Sequence, residues 1–289
     1  MKRRRNIVDG LLMVCFFVFS MIMIVPVVIM VATSLKTMGD IYQKTYLFFP
    51  KVLHFENYID AWNSADWMRI LYNTFFITGT TVVVSLIINS IAGYAFSRLH
   101  FRFRDTLFFI SLVGLMIPPQ ATLVPVFLIL KNFPLVNGNN ILGQGGTGFL
   151  NTYFGVMAPY LAGSFGVFLF RQFFLNFPQS LDDAAKIDGL SRMGAFVRIY
   201  VPLSKPVFVS LICLKAASTW NEYTWPLVIT TTKEMYTAQV ALVLFKSDTV
   251  ILWNQLMAST CFIVLPLVVL FVFAQRAFVE GIVTTGMKG

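Results

Sequence analysis

Charge is scarce in this sequence. Charged residues make up 12% of it and hydrophobic residues 57%, whereas an ordinary soluble domain carries roughly 25% charge. A chain so poor in charge cannot clothe a water-facing surface, which excludes a soluble domain and leaves a polytopic membrane protein. Histidine is nearly absent as well. His54 and His100 both fall in expected loops, and neither has a ligand-spaced partner. With no metal-like spacing and no nucleophile–base arrangement, the residues point away from an enzyme. Cys15, Cys213 and Cys261 lie inside expected spans without a CxxC pair, so they read as small apolar packing residues. No Walker A run occurs, so the chain does not bind ATP by that motif.

What the sequence has in abundance is uncharged, apolar length. Uncharged runs cover 10–35, 70–97, 106–130, 132–170 and 249–275, and a helix needs about 20 apolar residues to cross the hydrocarbon core. The fourth run opens on a Gly/Asn-rich stretch, so its span is placed from Asn151. A sixth span, 206–228, carries Lys215 and Glu222. The expectation is an all-α membrane protein, one transmembrane domain over 1–289, with spans at 11–34, 70–97, 106–130, 151–174, 206–228 and 250–275. The first run follows basic residues like a signal peptide. It is 26 residues long with no clean small-x-small site after it, so it reads as an uncleaved first span.

Six spans place both termini on one side, and the distribution of Lys and Arg says which. One side collects the N-terminal Lys2–Arg5 cluster, Arg98, Arg102, Arg104, the basic residues of 171–205, Arg276 and Lys288. That is fourteen, against seven on the other side. The positive-inside rule makes the fourteen-residue side cytoplasmic. The net charge of +9 is thus an orientation signal and not a nucleic-acid patch, and both ends are expected on the cytoplasmic side.

Several local features bear on function. Pro118, Pro119 and Pro125, with Gln120 among them, interrupt the third span. Proline breaks the helical ladder, and such a helix either lines a pathway or is a packing kink. Gly93 and Ser97 form a small-xxx-small pair that lets helices approach closely. The outer loop 36–69 is long enough for a cap or partner surface, and the Gly-rich stretch 137–148 reads as a flexible outer loop.

The informative segment is 177–206, FPQSLDDAAKIDGLSRMGAFVRIYVPLSKP, the long inward loop. Ser180 is placed to cap a short helix whose first turn carries Asp182 and Asp183, where acids complement the helix dipole. Leu181, Ala184, Ala185 and Ile187 supply an apolar side, and Gly189 ends the helix in a left-handed turn. A second amphipathic stretch, 193–201, runs to Pro202 and Pro206. A helix lying on lipid headgroups favours basic polar faces, whereas Asp182, Asp183 and Asp188 cluster here. The segment is built like a plug for a partner's groove.

This loop resembles the EAA loop of type I ABC importer permeases: E-A-A, three residues, G, nine residues, then I-x-L-P. Asp183-Ala184-Ala185, Gly189 and Ile199-Tyr200-Val201-Pro202 keep that spacing, with Asp for Glu at 183 and Val for Leu at 201. Asn89-Ser90 through Arg98, Ile117-Pro118-Pro119-Gln120, Trp220-Asn221-Glu222-Tyr223 and the terminus from Gln275 to Gly289 are similar to the second permease subunit of maltose-type carbohydrate importers. The resemblance implies the type I importer permease fold and a heterodimer with a homologous permease. It also implies two cytoplasmic ATPase subunits that bind ATP and Mg, an extracytoplasmic solute-binding protein, and a multi-pass location in a bacterial plasma (inner) membrane. On this reading the chain carries no cofactor and is not itself an enzyme. Asp182, Asp183, Ala184, Ala185, Asp188, Gly189 and Pro202 form the ATPase coupling loop, and the C-terminal tail reaches between the ATPase subunits. Gln120, Lys215, Trp220, Asn221, Glu222 and Tyr223 are candidates for the translocation pathway of a saccharide.

The competing class is a stand-alone secondary transporter, which would carry internal repeats and buried ionisable residues for a coupling ion. No convincing repeat is visible, and Lys215 with Glu222 is the one intramembrane charge set. Seven positions apart, the two are expected on one side of a helix. They form either an ion-paired or solvated couple that positions the span, or a site where Lys215 meets an acidic saccharide.

Overall fold

Three apolar stretches form single long helices, Lys2–Ser34, Trp67–Arg98 and Trp253–Gly286. Each is long enough at about 1.5 Å per residue to cross a hydrocarbon core of about 30 Å, and their apolar segments pass the length and composition test for spans. The structure, a computed structural model, describes the backbone of residues 2–43, 48–247 and 249–286; side chains are described from Gly10 onward within these, except at 274 and 276–286. Pro26 and Pro266 lie within the first and last of the long helices. The tail side chains, and 287–289 altogether, lie outside the described residues. The backbone of 277–286 continues the last helix.

Elsewhere the expected spans are broken. Tyr153–Tyr160 and Ser164–Leu175 meet at 46°, and Arg192–Leu203 and Lys205–Trp220 at 78°. The third span is two helices, Arg104–Val113 and Pro119–Lys131. Alone they reach about 15 and 20 Å, short of the membrane core. The cause is local: Pro118 sits extended (φ −61°, ψ 134°) before Pro119, because a residue preceding proline is pushed out of the helical region. Pro119 then starts the next helix at its first positions, where no N–H is needed. The fifth span also differs from expectation. Its helix ends at Trp220, and a separate short helix runs Thr224–Ile229, so 206–228 is not one continuous helix.

The chain divides into two units. In the first, 1–67 with 242–266, Trp67 stacks on Phe245 (6.3 Å between centroids) and meets Phe262 edge-on at 4.8 Å. Asn57 donates to the Ser34 and Lys36 carbonyls, both at 2.9 Å, and accepts from Asn254 at 2.8 Å. The outer loop is thereby tied down through the helix Glu56–Asn63.

The second unit, 68–241 with 267–289, contains two apolar clusters. One gathers Ile77, Leu130, Val156, Met157, Trp225 and Ile229. The other gathers Tyr94, Phe170, Phe174, Phe196, Tyr200, Val207 and Leu211. Close backbone approach makes the second possible. A Cβ on Gly93 would fall 2.5 Å from the Phe170 Cβ, and one on Gly166 2.4 Å from the Asn89 amide nitrogen, so bare glycines let these helices touch.

The stretch 137–148 is a hydrogen-bonded turn system, contrary to the flexible loop expected of its glycines. The Asn139 amide nitrogen donates to the Lys131 carbonyl (2.8 Å) and the Phe133 carbonyl (3.0 Å), and its oxygen accepts from Gly146 N (2.8 Å). Asn140 Oδ1 accepts from Leu142 N and Gln144 N, both at 2.9 Å. Asparagine side chains that bond nearby backbone replace the regular ladder the segment lacks.

Candidate functional site

The inward loop forms the helix Ser180–Ile187. Ser180 does not cap it. The cap position is Gln179, in helical geometry and without a side-chain cap bond, so Ser180 is the first helical residue. The far end is as the sequence anticipates. Gly189 takes φ +70°, its N–H donates to the Lys186 carbonyl at 3.1 Å, and Leu190 N donates to the Ala185 carbonyl at 2.9 Å. This pair of bonds is a Schellman motif, which satisfies carbonyls that the last turn would otherwise leave open.

The helix has two faces. Leu181 and Asp182 are half-buried and Ala185 is buried, while Asp183, Ala184, Ile187, Asp188 and Gly189 are exposed. Ile187 is 86% exposed, and Lys186 reaches Asp183 at 3.5 Å. The outward face thus pairs an apolar side chain with two carboxylates. Beyond the loop, Ser191 caps the next turn through Gly194 N at 3.1 Å. The expected amphipathic stretch becomes the short helix Arg192–Ala195 followed by a π-helical turn, Phe196–Tyr200. Pro202 is exposed in the next turn, and the chain bends at Ser204, whose hydroxyl donates to the Tyr200 carbonyl at 2.6 Å.

Behind the helix lies a set that sequence reasoning missed. Asp182 Oδ2 accepts from Arg98 Nη1 at 3.1 Å, and Oδ1 accepts from the Tyr200 hydroxyl at 2.7 Å. Arg98 Nη2 also donates to the carbonyls of Phe174 and Phe177, just where the helix Ser164–Leu175 runs out of intrahelical donors. Its guanidinium stands 5.3 Å from the Tyr200 ring centroid, and the Tyr94 hydroxyl donates to the Arg192 carbonyl at 3.1 Å. In the sequence Arg98 had counted as an orientation charge and as the end of a family-like stretch, with no partner assigned to it. The available signal was its position, a single arginine at the last residue of a span. A neighbouring arginine behaves similarly. Arg171 donates to the Phe96 carbonyl (3.3 Å) and to Asp105 (3.4 Å), over the Phe108 ring.

The pathway candidates do not form one cluster. Gln120 is exposed on the helix Pro119–Lys131, and Tyr223 is exposed as well. Trp220 is buried against Phe75 at 4.9 Å. Asn221 donates to the Ala217 carbonyl at 2.9 Å and accepts from Gln239 at 3.1 Å. The Lys215–Glu222 couple expected on one helix side does not form as such, because the helix ends at Trp220. Glu222 turns to accept from Trp225 N at 3.2 Å in the first turn of the helix Thr224–Ile229, and its carboxylate neighbours Tyr160. The Lys215 ammonium stands 5.8 Å from the centroid of the same Tyr160 ring. Tyr160, which the sequence did not single out, therefore stands near both the cation and the carboxylate from another segment.

Residues 85–283 match the family model for binding-protein-dependent transport system inner membrane components. The arabinooligosaccharide transport system permease protein AraQ of Halalkalibacterium halodurans is 30% identical over 100% of both chains. The sn-glycerol-3-phosphate transport system permease protein UgpE of Salmonella typhi is 31% identical over 76% of this chain and 74% of its own. Among solved structures, a bacterial ABC transporter involved in importing the acidic polysaccharide alginate aligns with a TM-score of 0.78 at 23% identity, over 96% of this chain and 97% of that one.

Proposed function

The chain belongs to the family of binding-protein-dependent transport system inner membrane components, and on that premise we propose that it forms half of the translocation pathway of an ATP-driven carbohydrate importer. Its partners are a homologous second permease, a pair of ATPase subunits that bind ATP and Mg, and an extracytoplasmic solute-binding protein. Both termini and the 177–206 loop face the cytoplasm, as the basic excess on that side supports. Six crossings result if Arg104–Val113 with Pro119–Lys131 is one broken span and each bent helix pair is another. Family membership replaces the stand-alone secondary transporter. The carbohydrate class is supported by relatives such as the arabinooligosaccharide permease.

The carrying observation is the outward face of Ser180–Ile187. An isoleucine 86% exposed on a loop helix, flanked by Asp183 and Asp188 and next to the open Gly189 turn, lacks a covering surface within the described chain. An ATPase cleft with apolar walls and a basic rim fits it. Asp183, Ala184, Asp188 and Gly189 meet that cleft, while Asp182 and Ala185 hold the helix from behind and Pro202 sets the return of the chain. ATP-driven closure of the ATPase pair then moves this rigid helix and with it the spans. The test is a cysteine at Asp188 in the assembled complex. It should crosslink to the ATPase subunit in wild-type background and lose that crosslink in Ile187→Asp. A complex that assembles and transports normally with Ile187→Asp would overturn the docking face.

Within the pathway, one observation favours an anionic saccharide. Lys215 is half-buried, and among the described residues its contact is the Tyr160 ring, with no ion pair. A cation at membrane depth is costly unless it meets water or an opposite charge, and a uronate group supplies that charge.

A further inference from the structure

A docking helix moves the spans only if it is fastened to them. Short peptide connections at Pro178 and Gly189 do not fasten it stiffly, so the fastening must come from side chains. Asp182 is the one acidic residue of the 177–206 loop whose carboxylate turns inward. Both its oxygens are engaged, by Arg98 at 3.1 Å and by Tyr200 at 2.7 Å. These two partners sit on different elements. Arg98 is the last residue of Trp67–Arg98 and also binds the carbonyls at the end of Ser164–Leu175. Tyr200 is fully buried in the π-helical turn that leads into Lys205–Trp220. Arg98 itself is mostly enclosed, with 9% of its side chain exposed.

We propose that Arg98, Asp182 and Tyr200 form a latch that transmits motion of the docking helix to three span segments at once. This rests on the coupling reading above and adds the residues that carry force within the chain. Arg98 and Tyr200 are positioning residues: they act through Asp182 and touch neither nucleotide nor solute. Charge-assisted hydrogen bonds suit the task because they are short, directional and stronger than neutral ones, and a planar guanidinium holds three oxygens in fixed directions. Three segments joined through one carboxylate–guanidinium pair also move together, which a sliding apolar contact would not ensure.

The measurement is ATP hydrolysed per solute delivered, in proteoliposomes holding the complete complex with its binding protein. Tyr200→Phe and Arg98→Lys should each leave basal ATP hydrolysis within about twofold, and these two and Asp182→Asn should each raise the ATP cost per solute by about tenfold, the scale of a lost charge-assisted bond. Because the residues act as one unit, Asp182→Asn with Arg98→Lys should be little worse than either alone. The Asp188 cysteine crosslink to the ATPase should persist in all of them. An unchanged ratio with the crosslink intact overturns the latch alone, as does a parallel loss of hydrolysis and transport, which is what a purely structural role produces. Absence of the crosslink in wild-type background overturns the coupling reading and the latch with it. If Asp182→Asn fails to assemble, Tyr200→Phe decides, since it removes one hydroxyl and keeps the ring in its cluster.

Discussion

The Asp182 carboxylate and the Arg98 guanidinium meet at 3.1 Å although 84 positions separate them in the chain. The pair joins the end of one apolar helix to a helix whose outer face is bare. An acidic first turn is normally explained by the helix dipole, and Asp183 fits that account. Asp182 has a different role, because its side chain turns away from solvent toward an arginine that is also closing the C-terminal carbonyls of a third helix.

The Gly189 turn separates backbone strain from steric clash. A Cβ there would meet no atom within 4 Å, yet φ is +70°. A side chain therefore fits in space, and the penalty lies in the left-handed backbone, about 1–2 kcal/mol. Gly189→Val should abolish substrate-stimulated ATP hydrolysis in the reconstituted complex while membrane insertion is unchanged. Gly189→Asn should retain most of it, since asparagine visits this region more readily. Equal behaviour of the two variants would show that the turn's conformation is not what matters.

The Lys215–Tyr160–Glu222 arrangement makes a prediction about charge. Stimulation of ATP hydrolysis by acidic oligosaccharides should fall about tenfold or more in Lys215→Met, the loss of one charge-assisted contact, with stimulation by neutral oligosaccharides unaffected. Tyr160→Phe should weaken stimulation less, because the ring beneath the ammonium remains while the hydroxyl facing Glu222 is lost. Stimulation by neutral sugars only, or acidic stimulation unchanged in Lys215→Met, would remove the anionic saccharide and leave the importer assignment standing.

Helix contact is tested by two glycines of the same helix. A methyl at Gly93 would lie 2.5 Å from the Phe170 Cβ, whereas one at Gly79 meets nothing within 4 Å. Gly93→Ala should cost about 1–3 kcal/mol through overpacking, seen as a lower melting temperature of the detergent-solubilised complex. Gly79→Ala should be neutral or slightly stabilising, since alanine is the better helix former. A Gly93→Ala complex as stable as wild type would show that the Trp67–Arg98 and Ser164–Leu175 helices do not approach this closely.

The membrane class, the long apolar helices and the docking loop with its Gly189 turn follow from sequence alone, because each depends on local properties: unbroken apolar length, a helix stop, a spacing of small and acidic residues. The sequence also marked where helices break, through Pro118 and Pro119. It did not reveal what the breaks achieve. The end of the fifth-span helix at Trp220 turned an expected i, i+7 couple into a three-residue set centred on Tyr160, a residue from another segment. The ordered turns of 137–148 depend on which backbone groups Asn139 and Asn140 reach, and composition does not encode that. Most of all, Arg98, Asp182 and Tyr200 are ordinary residues one by one. Only tertiary packing decides that a lone arginine at a helix end, an acid in a first turn and a tyrosine in a π-turn meet, because a long-range hydrogen bond depends on the placement of whole helices and leaves no periodicity in the chain.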